Sequence, residues 1–281
     1  MPQSLWSRTR RLLPAAAVAV LAITGTVAGV TAASASPAPR PATTFTTDHQ
    51  LCYTVTSAGP GITIPPAGAV TLKNQFSSFK PAISTPPVIH CNPVEKILPT
   101  GQVVPITNPA AHVLCFAITP PKTQPAPLVT VTNQFGSAKL QPGQPNLLCL
   151  PTWKSLKAPP NKTKPQPPGL SHYTCYPVTV VSGAYKPPPV MLKDEFGGPT
   201  SVQVNPVPQE LCLPTQKTVV TPVGTKIYKI VPGAMHLLCF PVSQTPIKTP
   251  VFDQNQFTGP GTAIGIGRTF ALCVPSTKKI G

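Results

Sequence analysis

The chain has 281 residues, of which 42 are proline and 19 are glycine, and aromatic residues make up 6%. Proline interrupts helices and central strands, so this composition excludes a mainly helical protein and favours short strands and turns. The charge is one-sided, with 22 basic against 6 acidic residues and a net charge of +16. Such an excess favours contact with polyanions, although it also helps to keep an apolar, proline-rich surface soluble.

The N-terminus carries the features of an export signal. Basic residues precede a long apolar run, which ends in the A-x-A cleavage pattern Ala33-Ser34-Ala35. We predict a helical signal peptide over residues 1–35 and no stable membrane span after its cleavage. An uncleaved anchor is the alternative, because the apolar run approaches spanning length. The sequence does not decide between the general and the twin-arginine export route. Residues 36–48 are predicted to be a flexible Pro/Ala/Thr-rich leader.

One set of signals recurs four times along the rest of the chain. Each copy begins with H-x-x-C, continues with a strand that ends in Asn-Gln-Phe or Asp-Glu-Phe, and closes on a second Cys with Lys five positions later. The copies begin at His49, His112, His172 and His236, a period of roughly 60 residues, which suits a small β module better than a solenoid coil.

We predict an all-β fold of four tandem, disulfide-stapled antiparallel β modules. Whether the modules stand alone or pair into two-sheet sandwiches is left open. The predicted boundaries are 49–98 for the first repeat, 112–157 for the second, 158–171 for a Pro/Lys-rich linker, 172–217 for the third repeat and 236–281 for the fourth.

The chain has 8 cysteines, two in each repeat. An even count in an exported chain predicts disulfides. A repeated unit is expected to close its own loop, and a loop of this size gains roughly 3.5 to 4 kcal/mol in the chain-entropy model. The predicted bridges are Cys52–Cys91, Cys115–Cys149, Cys175–Cys212 and Cys239–Cys273. Bridges between neighbouring repeats, such as Cys91 to Cys115, are the alternative.

Period-two alternation sorts the side chains of the opening strand onto two faces. In the second repeat, Leu114 and Phe116 share a face with His112, while Cys115 lies opposite. The recurring histidines are predicted to be structural and bonded to backbone groups. The phenylalanine of each Asn-Gln-Phe or Asp-Glu-Phe element is a predicted core anchor after an Asx-type turn. These anchors are Phe76, Phe135, Phe196 and Phe257.

The H-x-x-C elements invite a metal interpretation, because imidazole and thiolate bind zinc and copper. Oxidised cysteines offer no thiolate, so we predict neither a metal nor a cofactor. Catalytic signals such as G-x-S-x-G and H-E-x-x-H are missing from the sequence. Asp194 and Glu195 are adjacent and should point to opposite faces of a strand, so they make a poor acid/base pair. We therefore predict no catalytic residue. A secreted hydrolase is the weakest alternative.

The lysine that follows each closing Cys is the one recurring residue predicted to carry function. Equivalent positions in an array could form a basic row that binds a polyanion, and a solvated linker lysine is the alternative. Nucleic acid is not expected as the partner, because Arg is scarce after the signal peptide. The four lysines are Lys96, Lys154, Lys217 and Lys278.

The combination of H-x-x-C-[YF], [ND]-[QE]-F-G and L-C-x-P-[ST] resembles a domain of unknown function from secreted bacterial proteins. The resemblance covers His49 to about Lys279, is best in the second repeat, and implies a secreted, disulfide-bonded β module without a known activity. We therefore expect a non-catalytic, extracellular or envelope-associated interaction or structural protein. Its expected partners are an anionic wall polymer, a glycan or another envelope protein.

Overall fold

The computed structural model describes residues 47–122, 124–157 and 164–281. This part of the chain consists of strands and turns and contains no helix, so the all-β prediction is confirmed. The predicted signal peptide and most of the predicted leader lie outside the described residues. Among the described residues, no helix has the length and hydropathy needed to cross a membrane.

Each repeat has an opening strand, a central hairpin or strand and a closing strand. The first repeat contains β1 (Gln50–Ala58), β2 (Val70–Lys73), β3 (Ser78–Phe79), β4 (Ala82–Ile83), β5 (Ile89–Pro93) and β6 (Glu95–Ile97), and β7 (Val103–Val104) follows it. The second contains β8 (His112–Thr119), β9 (Val129–Asn133), β10 (Gly136–Pro142) and β11 (Leu147–Ser155). The third contains β12 (His172–Tyr185), β13 (Val190–Asp194), β14 (Gly197–Val202) and β15 (Glu210–Thr221), followed by β16 (Gly224–Tyr228). The fourth contains β17 (His236–Pro241), β18 (Pro250–Gln254) and β19 (Thr262–Ile280).

The opening and closing strands of the four repeats form one closed ring. The order around the ring is β1, β5, β8, β11, β12, β15, β17 and β19, and β19 pairs with β1 again. All of these pairs are antiparallel. Closure leaves no free edge between the eight ring strands. The repeats are therefore neither separate modules nor paired sandwiches, and the described residues belong to a single compact unit.

The four disulfides join the opening and closing strand of the same repeat, as predicted. The two cysteines of each bridge are direct partners across the ladder, for example Cys115 opposite Cys149. Bridges of neighbouring repeats also meet, because the Sγ atoms of Cys52 and Cys273 are 3.6 Å apart. The cysteines form one buried cluster on the strand face opposite the hairpins, which places them inside the ring.

The other face of the ring carries the large apolar side chains, as alternation predicted. Leu114 and Phe116 are fully buried there, under the hairpins. Each hairpin reaches the repeat two positions away. Its central strand pairs with the end of that repeat's closing strand or, in the first repeat, with β6, which directly follows the closing strand; the pairs are β2–β15, β9–β19, β13–β6 and β18–β11. The four repeats are thus interlocked as two reciprocal pairs.

Aromatic rings repeat this two-position rule. The tyrosine or phenylalanine after each opening Cys packs edge to face on the hairpin phenylalanine of the repeat two positions away, with ring centroids 5.0 to 5.4 Å apart. Such contacts are worth about 0.5–1.5 kcal/mol beyond their buried area. The four pairs are Tyr53–Phe196, Phe116–Phe257, Tyr176–Phe76 and Phe240–Phe135.

Candidate functional site: the four junctions between repeats

The recurring polar residues meet at the boundaries between consecutive repeats. We call each meeting point a junction and number it by the repeat that supplies its histidine and lysine. The next repeat supplies the Gln or Glu and the phenylalanine of its hairpin turn. The first junction is His49, Lys96, Gln134 and Phe135; the second is His112, Lys154, Glu195 and Phe196; the third is His172, Lys217, Gln256 and Phe257; the fourth is His236, Lys278, Gln75 and Phe76.

A turn at the end of each central strand presents the Gln or Glu. The preceding Asn or Asp accepts a hydrogen bond through Oδ1 from the backbone N–H two residues on, at 2.8 Å between Asn133 and Phe135. Equivalent bonds form in the other three repeats, which confirms the predicted Asx-type turn. Gly136 follows with a φ of 139°, and a Cβ there would lie 2.7 Å from the carbonyl oxygen of Ala184. In the second repeat, close approach of the backbone therefore excludes a side chain at this position.

The remaining atom of the Asn or Asp side chain binds the opposite repeat. Nδ2 of Asn74 donates to the hydroxyl of Tyr176 at 2.9 Å. In the third repeat the direction is reversed, because the hydroxyl of Tyr53 donates to Oδ2 of Asp194 at 2.7 Å. A hydroxyl can donate or accept. The contact with tyrosine therefore survives the exchange of Asn for Asp, and the turn survives because Oδ1 accepts from the backbone in both residues.

In the first junction His49 and Lys96 are buried, and the exposed Gln134 supplies an amide. Nζ of Lys96 donates to Oε1 of Gln134 and lies 3.3 Å from Nε2 of His49. Nε2 of Gln134 donates to the same histidine nitrogen at 2.7 Å. The ammonium also lies 5.7 Å from the ring centre of Phe135. Burial lowers the pKa of Lys96 to about 7, and burial together with the nearby lysine charge lowers the pKa of His49 to about 3.

The second junction has the same layout with a carboxylate. Oε1 of Glu195 lies 3.0 Å from Nε2 of His112, and Oε2 lies 3.1 Å from Nζ of Lys154. The lysine side chain has no exposed surface and its Nζ lies 4.5 Å from the ring centre of Phe196. Burial alone would raise the pKa of Glu195, but the hydrogen bond from His112 and the charge of Lys154 outweigh it and lower the pKa to about 2. Burial lowers the pKa of Lys154, against the opposing effect of Glu195.

The second junction also joins a wider polar network. Lys154 donates to Oδ1 of Asn92 at 2.7 Å, and Nδ2 of Asn92 donates to Oδ2 of Asp194 at 2.9 Å. Asp194 and Glu195 therefore take part in one network through Asn92, although their own side chains bind different partners. A second buried pair, His90 and Asp253, lies close by, with 3.3 Å between Nε2 and Oδ2. Three of the six acidic side chains, Asp194, Glu195 and Asp253, therefore lie at or near this junction.

The third junction again uses an amide. Nζ of Lys217 donates to Oε1 of Gln256, which also lies 3.1 Å from Nε2 of His172. The ammonium lies 4.5 Å from the ring centre of Phe257 and 4.8 Å from that of Tyr228. Burial lowers the pKa values of both the lysine and the histidine well below their usual range. The ring of Tyr228 has no counterpart in the other described junctions. It belongs to β16, a strand that follows the closing strand of the third repeat.

The fourth junction closes the ring and is the most open. Nζ of Lys278 lies 4.5 Å from the ring centre of Phe76, but the lysine is only half-buried, and among the described residues Gln75 makes no hydrogen bond to Lys278 or His236. Burial and the charge of Lys278 lower the pKa of His236 to about 4.

The geometry changes the interpretation of two sets of predicted residues. The histidines were predicted to bind backbone groups, but in the first three junctions they bind side chains of the next repeat. The lysines were predicted to form an exposed row. Lys96 and Lys217 have no exposed surface, and a side chain without exposed surface cannot contact a polyanion. The predicted row is therefore not a surface feature at these positions.

The predicted core anchors lie where expected. Phe135 and Phe257 are buried, and Phe76 and Phe196 are partly buried against the same core. The described residues contain no group of three or more His, Cys, Asp or Glu side chains placed to hold a metal ion. Residues that sequence reasoning missed, such as Asn92 and Tyr53, connect repeats that are distant in sequence. The recurrence of Tyr or Phe after each opening Cys was the available signal for these contacts.

Comparisons with known proteins give no further assignment. No family model matches the chain, and neither a curated protein nor a solved structure matches it.

Proposed function

We propose that the chain is a secreted, non-catalytic β-repeat protein that acts outside the cell or in the cell envelope as a structural or interaction component. The observation that carries the proposal is the use of the recurring polar residues. In the first three junctions the His, Lys and Gln or Glu side chains bind one another between repeats. Four disulfides favour an oxidising compartment.

Cell fractionation combined with thiol labelling tests this proposal. Antibody detection should place the protein in the culture medium or the envelope fraction of the source cells. A thiol reagent added before lysis should not label it, because its cysteines are paired. A cytosolic protein with reactive thiols would contradict the proposal.

The distribution of charge at the surface favours a second candidate function, binding of an anionic wall polymer or acidic glycan. Among the described acidic residues, Glu195 is the one with an exposed side chain, and it is paired with Lys154. Exposed lysines occur in every repeat, and they include Lys73, Lys139, Lys186, Lys193, Lys248 and Lys279. A surface with one sign of charge attracts polyanions over several ångströms.

Retention on isolated wall material tests this second candidate. The protein should be retained at about 150 mM salt and released at about 1 M, because salt screens exposed charges. A variant with four of these lysines changed to Gln should elute at lower salt than the wild type. Retention that does not depend on salt would contradict polyanion binding and leave a specific envelope partner.

A further inference from the structure

A cleft of about 410 Å³ lies beside the third junction. This volume falls in the range of about 300 to 1,000 Å³ that accommodates small ligands. The β15–β16 hairpin forms one side, the segment after β11 forms another, and the turn after β18 forms the third. None of the described residues that line the cleft is acidic. The lining residues that matter here are Lys164, Lys226, Tyr228, Gln254 and Gln256.

Gln254 is the first observation that points to a ligand. It is the last residue of β18, is 2% exposed and lines the cleft. Neither the amide nitrogen nor the amide oxygen of its side chain has a hydrogen-bond partner among the described residues. Gln256, two residues later, differs because its oxygen binds Lys217 and its nitrogen donates to Gln166 at 2.9 Å. A buried amide with both atoms free is costly unless a ligand satisfies it.

Two exposed lysines supply the second observation. Nζ of Lys226 lies 5.0 Å from the ring centre of Tyr228, and Nζ of Lys164 lies 4.9 Å from that of Trp153. Both side chains are exposed and line the cleft. Aromatic faces attract cations and hold them in place, so the two ammonium groups are positioned without an acidic partner in the lining. An anionic group would complete the site.

The chemistry of these groups selects a class of ligand. A hydroxyl group both donates and accepts, so one or two hydroxyls can satisfy the nitrogen and the oxygen of Gln254. A carboxylate pairs with the lysines. We propose that this cleft binds a carboxylate-bearing unit of an acidic saccharide. The inference rests on the second candidate function above and assigns to it a site and a ligand class.

Titration with trigalacturonate tests the proposal on the full mature chain. Binding at about 150 mM salt should be saturable by NMR, with shifts at the side chains of Gln254 and Lys226. The methyl-esterified trisaccharide should bind at least about tenfold more weakly. Gln254→Met and Lys226→Gln should each weaken binding about tenfold, while Lys80→Gln, an exposed lysine outside the cleft, should not.

Gln254→Met also separates binding from folding. Removing a buried amide with no partner should leave the melting temperature unchanged or raise it. A folded variant with weakened binding therefore supports a ligand role.

Four results would overturn the proposal: no saturable binding at roughly 10 mM trisaccharide, equal binding of the methyl ester, unchanged binding in both cleft variants, or tighter binding of an acidic tripeptide. Measuring retention of the same preparations on wall material distinguishes failure of the cleft proposal from failure of the second candidate function. Retention without trisaccharide binding removes the cleft and keeps the second candidate function, whereas loss of both removes both.

Discussion

The first and second junctions contain lysines at equivalent positions, but these lysines bind different partners. Lys96 and Lys154 both extend from a closing strand, pack over a phenylalanine and approach a histidine. Lys96 binds the amide oxygen of Gln134, and its pKa falls to about 7. Lys154 binds the carboxylate of Glu195, whose pKa falls to about 2.

The difference shows that geometry and charge are specified separately. The turn, the strand pairing and the ring contact are common to both junctions, so they do not require an ion pair. Whether the group that binds the lysine is an amide or a carboxylate then determines how strongly the charged form of the lysine is stabilised. Replacing a buried ion pair by neutral groups is often close to neutral for stability, whereas removing one partner is costly. Matched substitutions in the two junctions should therefore change the free energy of unfolding by different amounts.

Acid should weaken the first junction through His49. The folded-state pKa of His49 lies near 3 and its unfolded value near 6.5. The unfolded state therefore binds more protons in this window, and stability falls as the pH drops from 6.5 towards 3. The loss should reach about 3 kcal/mol at pH 4. Glu195 contributes stability above pH 4.5, and this contribution is lost only as the pH falls from 4.5 through 2.

Guanidinium unfolding monitored by Trp153 fluorescence at pH 7, 5.5 and 4 measures this loss. His49→Gln should lessen the slope between pH 6.5 and 4 without abolishing it, because the pKa values of His112, His172 and His236 are also lowered in the folded protein. An unchanged slope in the variant would show that His49 does not contribute to the response to acid.

Truncation should cost more at the second junction. Glu195→Ala leaves a lysine with no exposed surface without its carboxylate, and we expect a loss of about 2 to 3 kcal/mol. This is below the value for a fully buried pair, because 39% of the Glu195 side chain is exposed. The matched change Gln134→Ala should cost about 1 to 2 kcal/mol. Unfolding at pH 7 measures both losses of stability. Equal losses would contradict a stronger dependence of the second junction on its carboxylate.

Exchanging the amide and the carboxylate between the two junctions should exchange the effects on lysine pKa and on stability. Gln134→Glu gives Lys96 a carboxylate, so the pKa of Lys96 should rise and stability at pH 7 should increase by about 1 kcal/mol. The converse change, Glu195→Gln, should destabilise the protein by a similar amount. Unfolding curves and lysine NMR measure the two effects together. Loss of stability in both variants would mean that each junction is tuned to its own partner.

The fourth junction should respond least. Gln75 makes no hydrogen bond to Lys278 or His236 among the described residues, whereas the equally exposed Gln134 binds both Lys96 and His49. Gln75→Ala should therefore change the free energy of unfolding by less than about 0.5 kcal/mol. A loss as large as that of Gln134→Ala would show that this junction closes in solution as tightly as the first.

Local patterns predicted much of the fold. Period-two alternation placed Phe116 and Cys115 on opposite faces, and the even cysteine count with its repeat spacing gave the four bridges. Both signals are short-range, because they depend on neighbouring residues or on one repeat. Closure of the ring was not predicted, because alternation shows which face a side chain occupies but not which strand lies beside it.

The junctions were missed for the same reason. Lys96 follows a closing strand and has the sequence context of a solvated linker lysine, since lysine is seldom fully buried. Its burial depends on Gln134 and Phe135, which belong to the next repeat. The constant spacing of the lysine in all four repeats was evidence of a shared contact, but it did not identify the partner.

The most direct test of a buried junction between repeats is a pH titration of the lysine side chains by ¹³C NMR, with Lys96→Met used to assign the Lys96 signal. We predict that Lys96 titrates near pH 7 and that Gln134→Glu moves its midpoint upwards. A midpoint for Lys96 at the ordinary lysine value of about 10.4, unchanged by Gln134→Glu, would contradict a buried junction between the repeats.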